Sequence, residues 1–231
     1  MKKIAIILLF SIIGHFASAQ IIVGPQFGMN IGTLSHTDLT IDSKWGWHGG
    51  LFLGLPLSKH VYIMPAVLYS NKGFKYDYST TTTNTAPDTS GTNVTSVVNL
   101  TANVDATLGY LDIPVLLTVF TGETRGFMFQ AGPQFSYLIK DNSNITTSST
   151  ISINGGTSQP TTPTTDTKVT FHKGDLALAA GIGYKLPSFL MVYARVTTGI
   201  LKVQQNGFIK DENAGRNFLV EIGGALVFGG R

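Results

Sequence analysis

The chain has no cysteine among its 231 residues. A disulfide framework, a lipid-modified cysteine anchor, a thiolate metal site and a cysteine nucleophile are therefore excluded. Charged residues make up only 13% of the sequence, against about 25% in soluble domains. Beyond its first 20 residues the chain also lacks a run of about 18 apolar residues, the length that a membrane helix needs. Few charges without apolar helices favour a membrane protein built from β-strands.

The first 19 residues have the three-part pattern of a secretory signal peptide. Lys2 and Lys3 precede an apolar run at residues 4–13, and Ala17-Ser18-Ala19 has the small-x-small pattern of a cleavage site. We therefore expect residues 1–19 to be removed from the exported chain. Because two lysines leave with them, the mature chain is close to neutral and has no charge pattern of a nucleic-acid-binding protein.

Eight segments alternate apolar residues with small or polar ones, which is the period of a β-strand. In residues 21–32 and 45–56 the odd positions are apolar and the even ones are mostly Gly, Gln, Asn or His. The other segments are residues 61–76, 108–120, 127–140, 175–186, 189–201 and 217–228. Residues 61–76 are the least regular segment, because Met64, Ala66 and Leu68 make the second face apolar as well.

The connections between these segments alternate in length. Residues 57–60, 121–126 and 187–188 are short, whereas the long, polar connections are residues 33–44, 77–107, 141–174 and 202–216. This layout is typical of an outer-membrane barrel with short periplasmic turns and long extracellular loops. The predicted fold is all-β: residues 20–231 form one eight-stranded antiparallel up-and-down transmembrane β-barrel with both termini in the periplasm.

The two longest connections are rich in Thr, Ser, Asn, Gly and Pro. Such a composition is too polar to build a core of its own. We expect either mobile surface loops or hairpin extensions of the barrel wall. In the second case Val94, Val97, Val98 and Leu100 would continue a strand above the membrane.

An eight-stranded barrel is just wide enough for its interior to be filled by side chains. The inward faces predict a lumenal polar network of Gln26, Asn30, His48, Asp112, Gln134, Arg195 and Glu221. Arg195 and Glu221 fall on neighbouring strands, and Asp112 could reach them across a narrow lumen, while Asp175 and Lys185 also point inward. Buried charges need partners, so we expect an ion-pair network that plugs the barrel rather than a proton or substrate path.

No pattern of a catalytic or cofactor site is present. The histidines have no metal-ligand spacing, and the chain has no G-x-S-x-G, Walker or Rossmann motif. Only His48, of the histidines beyond the signal, falls inside a predicted strand, and no nucleophile is paired with it in sequence. We therefore expect a hydrogen-bonded core histidine, no enzymatic activity, no cofactor and no metal.

Gly-Pro-Gln-Phe occurs twice, at residues 24–27 and 132–135, and each copy places a proline inside a predicted strand. Proline cannot donate a hydrogen bond to a β-ladder. We expect each proline to lie at a bulge or near the periplasmic rim, with Gln26 and Gln134 facing the lumen.

Several of these segments also resemble a known family. Y-L-D-I-P-V-L-L (110–117) is similar to the Y-L-E-I-P-L-L-L signature of the PorT-like outer-membrane β-barrel family of Bacteroidetes. Further similar runs, in the family's order, are G-W-H-G-G-L-F-L-G-L-P-L (46–57), Y-I-M-P-A-V-L-Y-S-N-K-G (62–73), F-M-F-Q-A-G-P-Q-F-S-Y-L (127–138) and F-L-V-E-I-G-G-A-L-V-F (218–228).

The resemblance implies an eight-stranded barrel in the outer membrane. The founding member is associated with protein secretion and gingipain export, but most members have no assigned activity, so that role is not transferred. This chain departs from the family at Met64 and Ala66, where polar residues are usual, and in the three residues that follow Phe228.

Three functions remain open from the sequence. The first is a non-enzymatic barrel with an envelope-structural role, or one whose Thr-rich loops contact surfaces, polysaccharide or partner proteins. The second is a narrow pore, or a small-ligand or secretion-associated barrel, and the third is a soluble lipocalin-like carrier with its apolar face inside. For the first we expect a monomer whose partners are outer-membrane lipid and the barrel-insertion machinery, with no nucleic acid.

Overall fold

The computed structural model describes residues 21–35, 41–87, 89–122, 125–153, 156–157, 170–187, 189–201, 204–206 and 215–229. The predicted signal peptide, residues 1–19, lies outside these ranges. The strands are β1 (Ile22–Ser35), β2 (Ile41–Pro56), β3 (Val61–Pro87), β4 (Asn93–Phe120), β5 (Gly126–Ile153), β6 (Gly156–Thr157), β7 (Thr170–Phe171), β8 (Gly174–Lys185), β9 (Leu190–Gly199), β10 (Gln204–Asn206), β11 (Arg216–Leu226) and β12 (Phe228–Gly229). No helix within the described ranges is long and apolar enough to cross a membrane.

Eight of these strands form a closed antiparallel ring in the order β1, β2, β3, β4, β5, β8, β9, β11. β11 pairs with β1 over ten residues, from Gln26↔Ala225 to Ser35↔Arg216, and this pairing closes the barrel. β12 pairs with the start of β1, β6 pairs antiparallel with the end of β5, and β7 pairs with β10 in a separate ladder. The predicted eight-stranded up-and-down topology is confirmed.

Side chains alternate between the outer wall and the lumen as the sequence pattern predicts. On β1 and β2 the odd positions are exposed, with Phe27 at 60% and Trp45 at 67%, whereas Asn30 and His48 on the even positions are buried. The outer wall is apolar on every strand of the ring, since its exposed residues are mainly Leu, Ile, Val, Phe and Trp. This is the opposite of the arrangement that a soluble carrier with an apolar face inside would need.

The two ends of the barrel differ strongly. At the short-turn end, β2 connects to β3, β4 to β5, and β8 to β9 through a few residues each. At the other end, here called the long-loop end, β2 stops pairing with β3 at Ile41↔Tyr76, while β3 and β4 remain paired as far as Pro87↔Asn93. β5 follows β4 as far as Ser96↔Ile153.

The result is a three-stranded sheet that continues beyond the barrel, here called the extension sheet: residues 77–87 of β3, 93–103 of β4 and 146–153 of β5. Val94, Val97, Val98 and Leu100 lie in this part of β4. For this segment the hairpin-extension interpretation is therefore confirmed and the loop interpretation is wrong. The pairs along β3 and β4 explain why, because Thr and Asn side chains hydrogen-bond across the ladder, as between Thr81 Oγ1 and Asn99 Oδ1 at 2.7 Å.

The prolines of the repeated Gly-Pro-Gln-Phe motif interrupt pairing without shifting the register. Between β4 and β5 the pairs Pro114↔Gln134 and Leu117↔Ala131 share one register on either side of Pro133. Where β1 pairs with β11 and β12, Gln26↔Ala225 and Val23↔Phe228 also share one register on either side of Pro25. The expected bulge is therefore wrong for both prolines, and only Pro25 lies near an end of its strand.

The glycine before each proline has a packing reason. A side chain at Gly24 would overlap the backbone carbonyl of Leu226, and one at Gly132 would overlap that of Val115. In the continuing register these two residues lie opposite Pro25 and Pro133. Their carbonyls face a proline that has no N–H to donate, and glycine leaves room for them on the lumen side.

True bulges occur at the long-loop end. The register shifts between Ser43 and His48 where β2 pairs with β3, and between Gly109 and Tyr110 where β4 pairs with β5. Within the first of these irregular stretches, Lys44 Nζ donates to Asp105 Oδ1 and, at 2.5 Å, to Thr107 Oγ1 on β4. Lys75 Nζ lies 3.6 Å from Asp105 Oδ2. Lys44, Lys75, Asp105 and Thr107 are called the outer polar cluster below.

The outer polar cluster marks the end of the lipid-facing band. On β4 the outward residues from Leu111 to Val119 are apolar, and this length matches the about 9–11 residues of a membrane-spanning strand. Aromatic rings of Phe27, Trp47 and Tyr69 form a row on β1, β2 and β3, with centroids 6.1 and 5.2 Å apart. Aromatic residues favour the interface between hydrocarbon and water, so Asp105 lies outside the hydrocarbon.

Replacing Asp105 with Asn should lower the unfolding temperature slightly at neutral pH and leave it unchanged in strong acid. The hydrogen bond from Lys44 holds the pKa of Asp105 below its usual value. The stabilisation is therefore fully present above the unfolded pKa, about 3.9, and is lost as the pH falls through the lower folded pKa. Because Asp105 is 38% exposed, we expect less than about 1 kcal/mol.

Thermal unfolding of both proteins in detergent, at about pH 7 and about pH 2, measures this difference. Salt at about 1 M should also shrink it, since the screening length falls to about 3 Å. A difference of equal size at both pH values would contradict an ion pair as its cause.

Candidate functional site: the polar layer of the lumen

The lumen is filled in three layers along the barrel axis. A buried apolar layer near the short-turn end consists of Ile22, Phe52, Met64, Ala66, Leu68, Phe120, Met128, Met191, Tyr193, Ala225 and Val227. A second apolar layer near the long-loop end consists of Leu34, Phe74, Tyr76, Val104, Ala106, Leu108, Tyr110 and Phe171. Between them lie buried polar and charged residues, called the polar layer below. Met64 and Ala66 belong to the first apolar layer.

Arg195 and Glu221 form one ion pair of the polar layer. The two residues are directly opposite each other on β9 and β11, with Arg195 Nε donating to Glu221 Oε2 at 2.6 Å. Thr197 Oγ1 donates to the same oxygen at 3.2 Å. Both charged side chains are 2% exposed, so each removes the large cost of burying the other alone.

Lys72 and Asp112 form the second ion pair, on β3 and β4. Lys72 Nζ donates to Asp112 Oδ1 at 2.9 Å and to Ser136 Oγ at 3.3 Å. The ammonium also lies 4.8 Å from the centre of the Tyr110 ring, within range of a cation–π contact. Asp112 is thus held by Lys72, and the expected direct contact of Asp112 with Arg195 and Glu221 is not what the structure has.

Sequence reasoning missed Lys72. The strand period could have identified it, because Lys72 is an even-numbered residue of β3. Met64, Ala66 and Leu68 are even-numbered too, and all face the lumen. The apolar character of both faces in this segment concealed which face was inside. Once the even face of β3 is placed inward, Lys72 points into the lumen on the strand next to Asp112. Asp112 itself pairs with Leu68, and the long side chain of Lys72 reaches its carboxylate from four residues further along β3.

His48 lies at the centre of the polar layer and is fully buried. Its Nε2 is 2.8 Å from the hydroxyl of Tyr193, and its Nδ1 is 3.7 Å from Glu221 Oε1. A side chain at Gly28 would come within 2.7 Å of His48 Nε2. Glycine at this position of β1 therefore lets the imidazole lie across the neighbouring strand.

The remaining residues of the predicted network lie around these pairs. Asn30 is opposite Glu221 on β11, and Gln134 Nε2 lies 3.5 Å from Ser136 Oγ. Gln26 is nearer the short-turn end, between Gly50 and Ala225. The structure thus brings five of the seven predicted residues, Asn30, His48, Asp112, Arg195 and Glu221, into the layer with the ion pairs, whereas Gln134 lies beside it and Gln26 lies apart.

Asp175 and Lys185, at opposite ends of β8, are outside the two pairs. Asp175 accepts a hydrogen bond from Asn217 Nδ2 at 2.7 Å. Lys185 Nζ lies 5.7 Å from the centre of the Phe120 ring, near the short-turn end. These contacts explain how two further inward charges fit into the wall without joining the central layer.

Several buried polar atoms of the described lumen have no hydrogen-bond partner in the protein. They are both amide atoms of Asn30, His48 Nδ1, Ser70 Oγ, Gln134 Oε1, Asp175 Oδ1 and Arg195 Nη2. Buried groups of this kind usually bind ordered water. The mixture of donors and acceptors suits water better than an ion of one sign. Within the described residues no group of three or more His, Asp or Glu side chains is placed to bind a metal ion.

The polar layer contains a serine beside a histidine, the pair that a hydrolase would need. Ser70 is directly opposite His48 on β3. Both side chains are fully buried, and the Nε2 atom of His48 is occupied by Tyr193. A substrate would have to pass an apolar layer to reach them, so the arrangement suits packing better than catalysis.

Replacing Arg195 with Met should lower the free energy of unfolding by about 3–5 kcal/mol, because it leaves Glu221 buried without its counter-charge. The double variant Arg195→Met/Glu221→Leu should recover most of that loss, since it removes both charges. Heat-modifiable gel migration and thermal unfolding in detergent measure the effect. Lys59→Met, in the exposed turn between β2 and β3, is the control and should behave like the unmodified protein.

An unchanged unfolding temperature for Arg195→Met would contradict a structural role for the pair. A double variant as unstable as the single one would mean that Arg195 acts through its packing and not through Glu221.

Comparison with known proteins places the chain in a family. Residues 16–205 match the family described as outer membrane protein beta-barrel domain. A search of curated proteins gave no match.

Solved outer-membrane structures resemble the chain at low identity. The attachment invasion locus protein Ail of Yersinia pestis is 11% identical, with 90% of this chain and 99% of that chain covered and a TM-score of 0.40. Neisserial surface protein A is 13% identical, with 90% and 97% covered and a TM-score of 0.43. LpxR from Salmonella typhimurium is 8% identical, with 90% and 100% covered and a TM-score of 0.31. Likeness at this level concerns the fold alone.

The family match spans most of the chain and agrees with a closed ring of eight strands whose outer wall is apolar. This protein is therefore a member of the outer membrane protein beta-barrel domain family and belongs to the outer membrane.

Proposed function

We propose that this protein is a non-enzymatic outer-membrane barrel that presents its extension sheet outside the cell as an interaction surface. The observation that carries the proposal is the continuous pairing of β3, β4 and β5 beyond the barrel, to Pro87↔Asn93 and Ser96↔Ile153. A rigid sheet on a sealed barrel suits a protein that displays a surface. A barrel that only spanned the membrane would not need it.

The proposed orientation has the short-turn end in the periplasm. Ile22 and Gly229 pair at that end, so the first and last residues of the barrel would both be periplasmic. Short periplasmic turns and longer extracellular connections are the rule for such barrels. Residues 1–19 would direct export, and the barrel-insertion machinery would recognise the last strand near Phe228. Within its membrane the protein is proposed to be a monomer.

The chemistry of the extension sheet supports contact with polar partners. One face carries hydroxyl and amide groups, with Thr85 Oγ1 and Thr95 Oγ1 3.1 Å apart and Asn103 bonded to Asp77. The other face includes the half-buried Val98 and Leu100. Such a surface can hydrogen-bond to polysaccharide hydroxyls or to an extended protein segment, and its apolar face can add burial to either contact.

The narrow-pore, small-ligand and secretion-associated alternatives have less support. Two apolar layers and two ion pairs occupy the lumen of the described barrel, which favours a closed barrel over a path for solute along the axis. Among the described residues no catalytic pair is exposed, which likewise favours a non-enzymatic role. A place in the PorT-like family of Bacteroidetes is proposed from the order of the matching motifs along the chain, without a role in secretion.

Deleting residues 79–101 and closing the gap with a short turn should reduce attachment of intact cells to surfaces or partner cells while leaving the barrel folded. Heat-modifiable migration checks the fold, and an adhesion assay with isogenic cells checks the function. Unchanged attachment with normal surface display would contradict the interaction role.

Orientation is tested separately with single cysteines, since the chain has none of its own. Thr89→Cys, in the turn of the extension sheet, should react with a membrane-impermeant maleimide on intact cells. Ser58→Cys, in a turn at the short-turn end, should react only after the outer membrane is permeabilised. The reverse result would place the extension sheet in the periplasm.

A further inference from the structure

The extension sheet has an open backbone edge along β3. β2 ends its pairing at Tyr76, whereas β4 accompanies β3 on the other side as far as Pro87. From Ser79 to Pro87, β3 therefore has one strand neighbour within the described chain. Seven of these nine residues, 81–87, are exposed without interruption. Every second residue of an antiparallel strand directs its N–H and C=O to the same side, so this edge offers a row of donors and acceptors that pair with no other strand of the described chain.

The edge lacks the features that usually protect such strands. Natural edges carry lysine or other charges, an early proline, or a bulge that bends them away. Residues 79–86 read S-T-T-T-T-N-T-A and contain no charge and no proline. The register with β4 is also continuous from Leu68↔Asp112 to Pro87↔Asn93, without a bulge. The edge is free of bulges, neutral and rich in β-branched threonine.

We propose that the edge of β3 pairs antiparallel with the same edge of a second copy held in an opposed membrane. The inference rests on the proposed outward orientation of the extension sheet. The edge is self-complementary, because a two-fold axis at Thr83 would place Thr81 opposite Thr85 and Thr82 opposite Asn84. Cross-strand threonine pairs are favourable, and a neutral edge meets no like-charge repulsion from its own copy.

The same register keeps the faces of the two sheets continuous. Odd residues would lie opposite odd residues, so the polar face that carries the Thr81–Asn99 and Thr85–Thr95 contacts would extend across both copies. Even residues would likewise meet even residues on the face of Val98 and Leu100. Two three-stranded sheets would become one six-stranded sheet, which removes the open edge from both partners.

The direction of the β3 strands requires that the two copies face each other. Two barrels in one membrane point in the same direction, and their β3 strands would be parallel. Antiparallel pairing needs barrels that point toward each other, as on two cells in contact. At about 3.3 Å per residue, the free edge is roughly 30 Å long. One such contact is weak, but many copies on two surfaces gain avidity.

A cysteine at the two-fold axis tests the pairing directly, because the chain contains no other cysteine. Thr83→Cys should form disulfide-linked dimers between two populations of proteoliposomes that carry differently tagged protein. Directly opposite residues of an antiparallel pair have Cα atoms about 4.5–5.5 Å apart, which suits a disulfide. Thr101→Cys, on the central strand β4 opposite Ser79, is the matched control and should stay monomeric.

Charge substitution provides an independent test that does not depend on oxidation. Thr83→Lys should abolish clustering of proteoliposomes, because two lysines would meet at the axis. Thr83→Glu should do the same, whereas vesicles that carry the Thr83→Lys variant should cluster again when they are mixed with vesicles that carry Thr83→Glu. Normal heat-modifiable migration of both variants would show that the barrel itself is intact.

Two results would overturn the inference: no cross-link between the two tagged populations, or no recovery when the Lys and Glu variants are mixed. Clustering that both charge variants leave unchanged would assign the contact to another surface. If these tests fail while Thr89→Cys is labelled on intact cells, the extension sheet still faces outward and its partner is a different molecule. If Thr89→Cys is not labelled on intact cells, the outward orientation is wrong, and the proposed function is contradicted together with this inference.

Discussion

Closure of the ring between β1 and β11 determines how the lumen is filled and how the strands align. In hydrocarbon a free strand edge would leave N–H and C=O groups without partners, at several kcal/mol each. The pairs from Gln26↔Ala225 to Ser35↔Arg216 remove that edge. With eight strands the closed ring is narrow, so side chains must fill it, and every charge that points inward must find a partner inside.

The ion pairs provide these partners and also favour one alignment of the strands. Arg195 and Glu221 are directly opposite on β9 and β11, and Lys72 meets Asp112 between β3 and β4. A slip of one residue would turn every side chain of a strand to the other face and expose Glu221 or Arg195 to lipid. The pairs therefore favour one register more strongly than an apolar lumen would. Beyond the membrane water can satisfy backbone groups, and there β3 has an open edge within the described residues.

Most of the wall could be predicted from the sequence, because the alternation of inward and outward side chains depends only on neighbouring residues of one strand. The outward Phe27 and inward Asn30 of β1 follow from a period of two. Partners across the lumen could not be predicted, since they depend on the tilt and stagger of the ring. Asp112 is bound to Lys72 for that reason, and not to Arg195. Periodicity also could not predict the bulges near Ser43 and Gly109 or the length of the extension sheet. These features are visible only in the structure.

We propose that two apolar layers, with the paired charges between them, seal the lumen. Conductance of the purified, refolded protein in planar lipid bilayers tests this proposal. A sealed lumen predicts insertion, verified by heat-modifiable migration of the same sample, without stable conductance steps. Reproducible open-channel currents from the folded protein would contradict it.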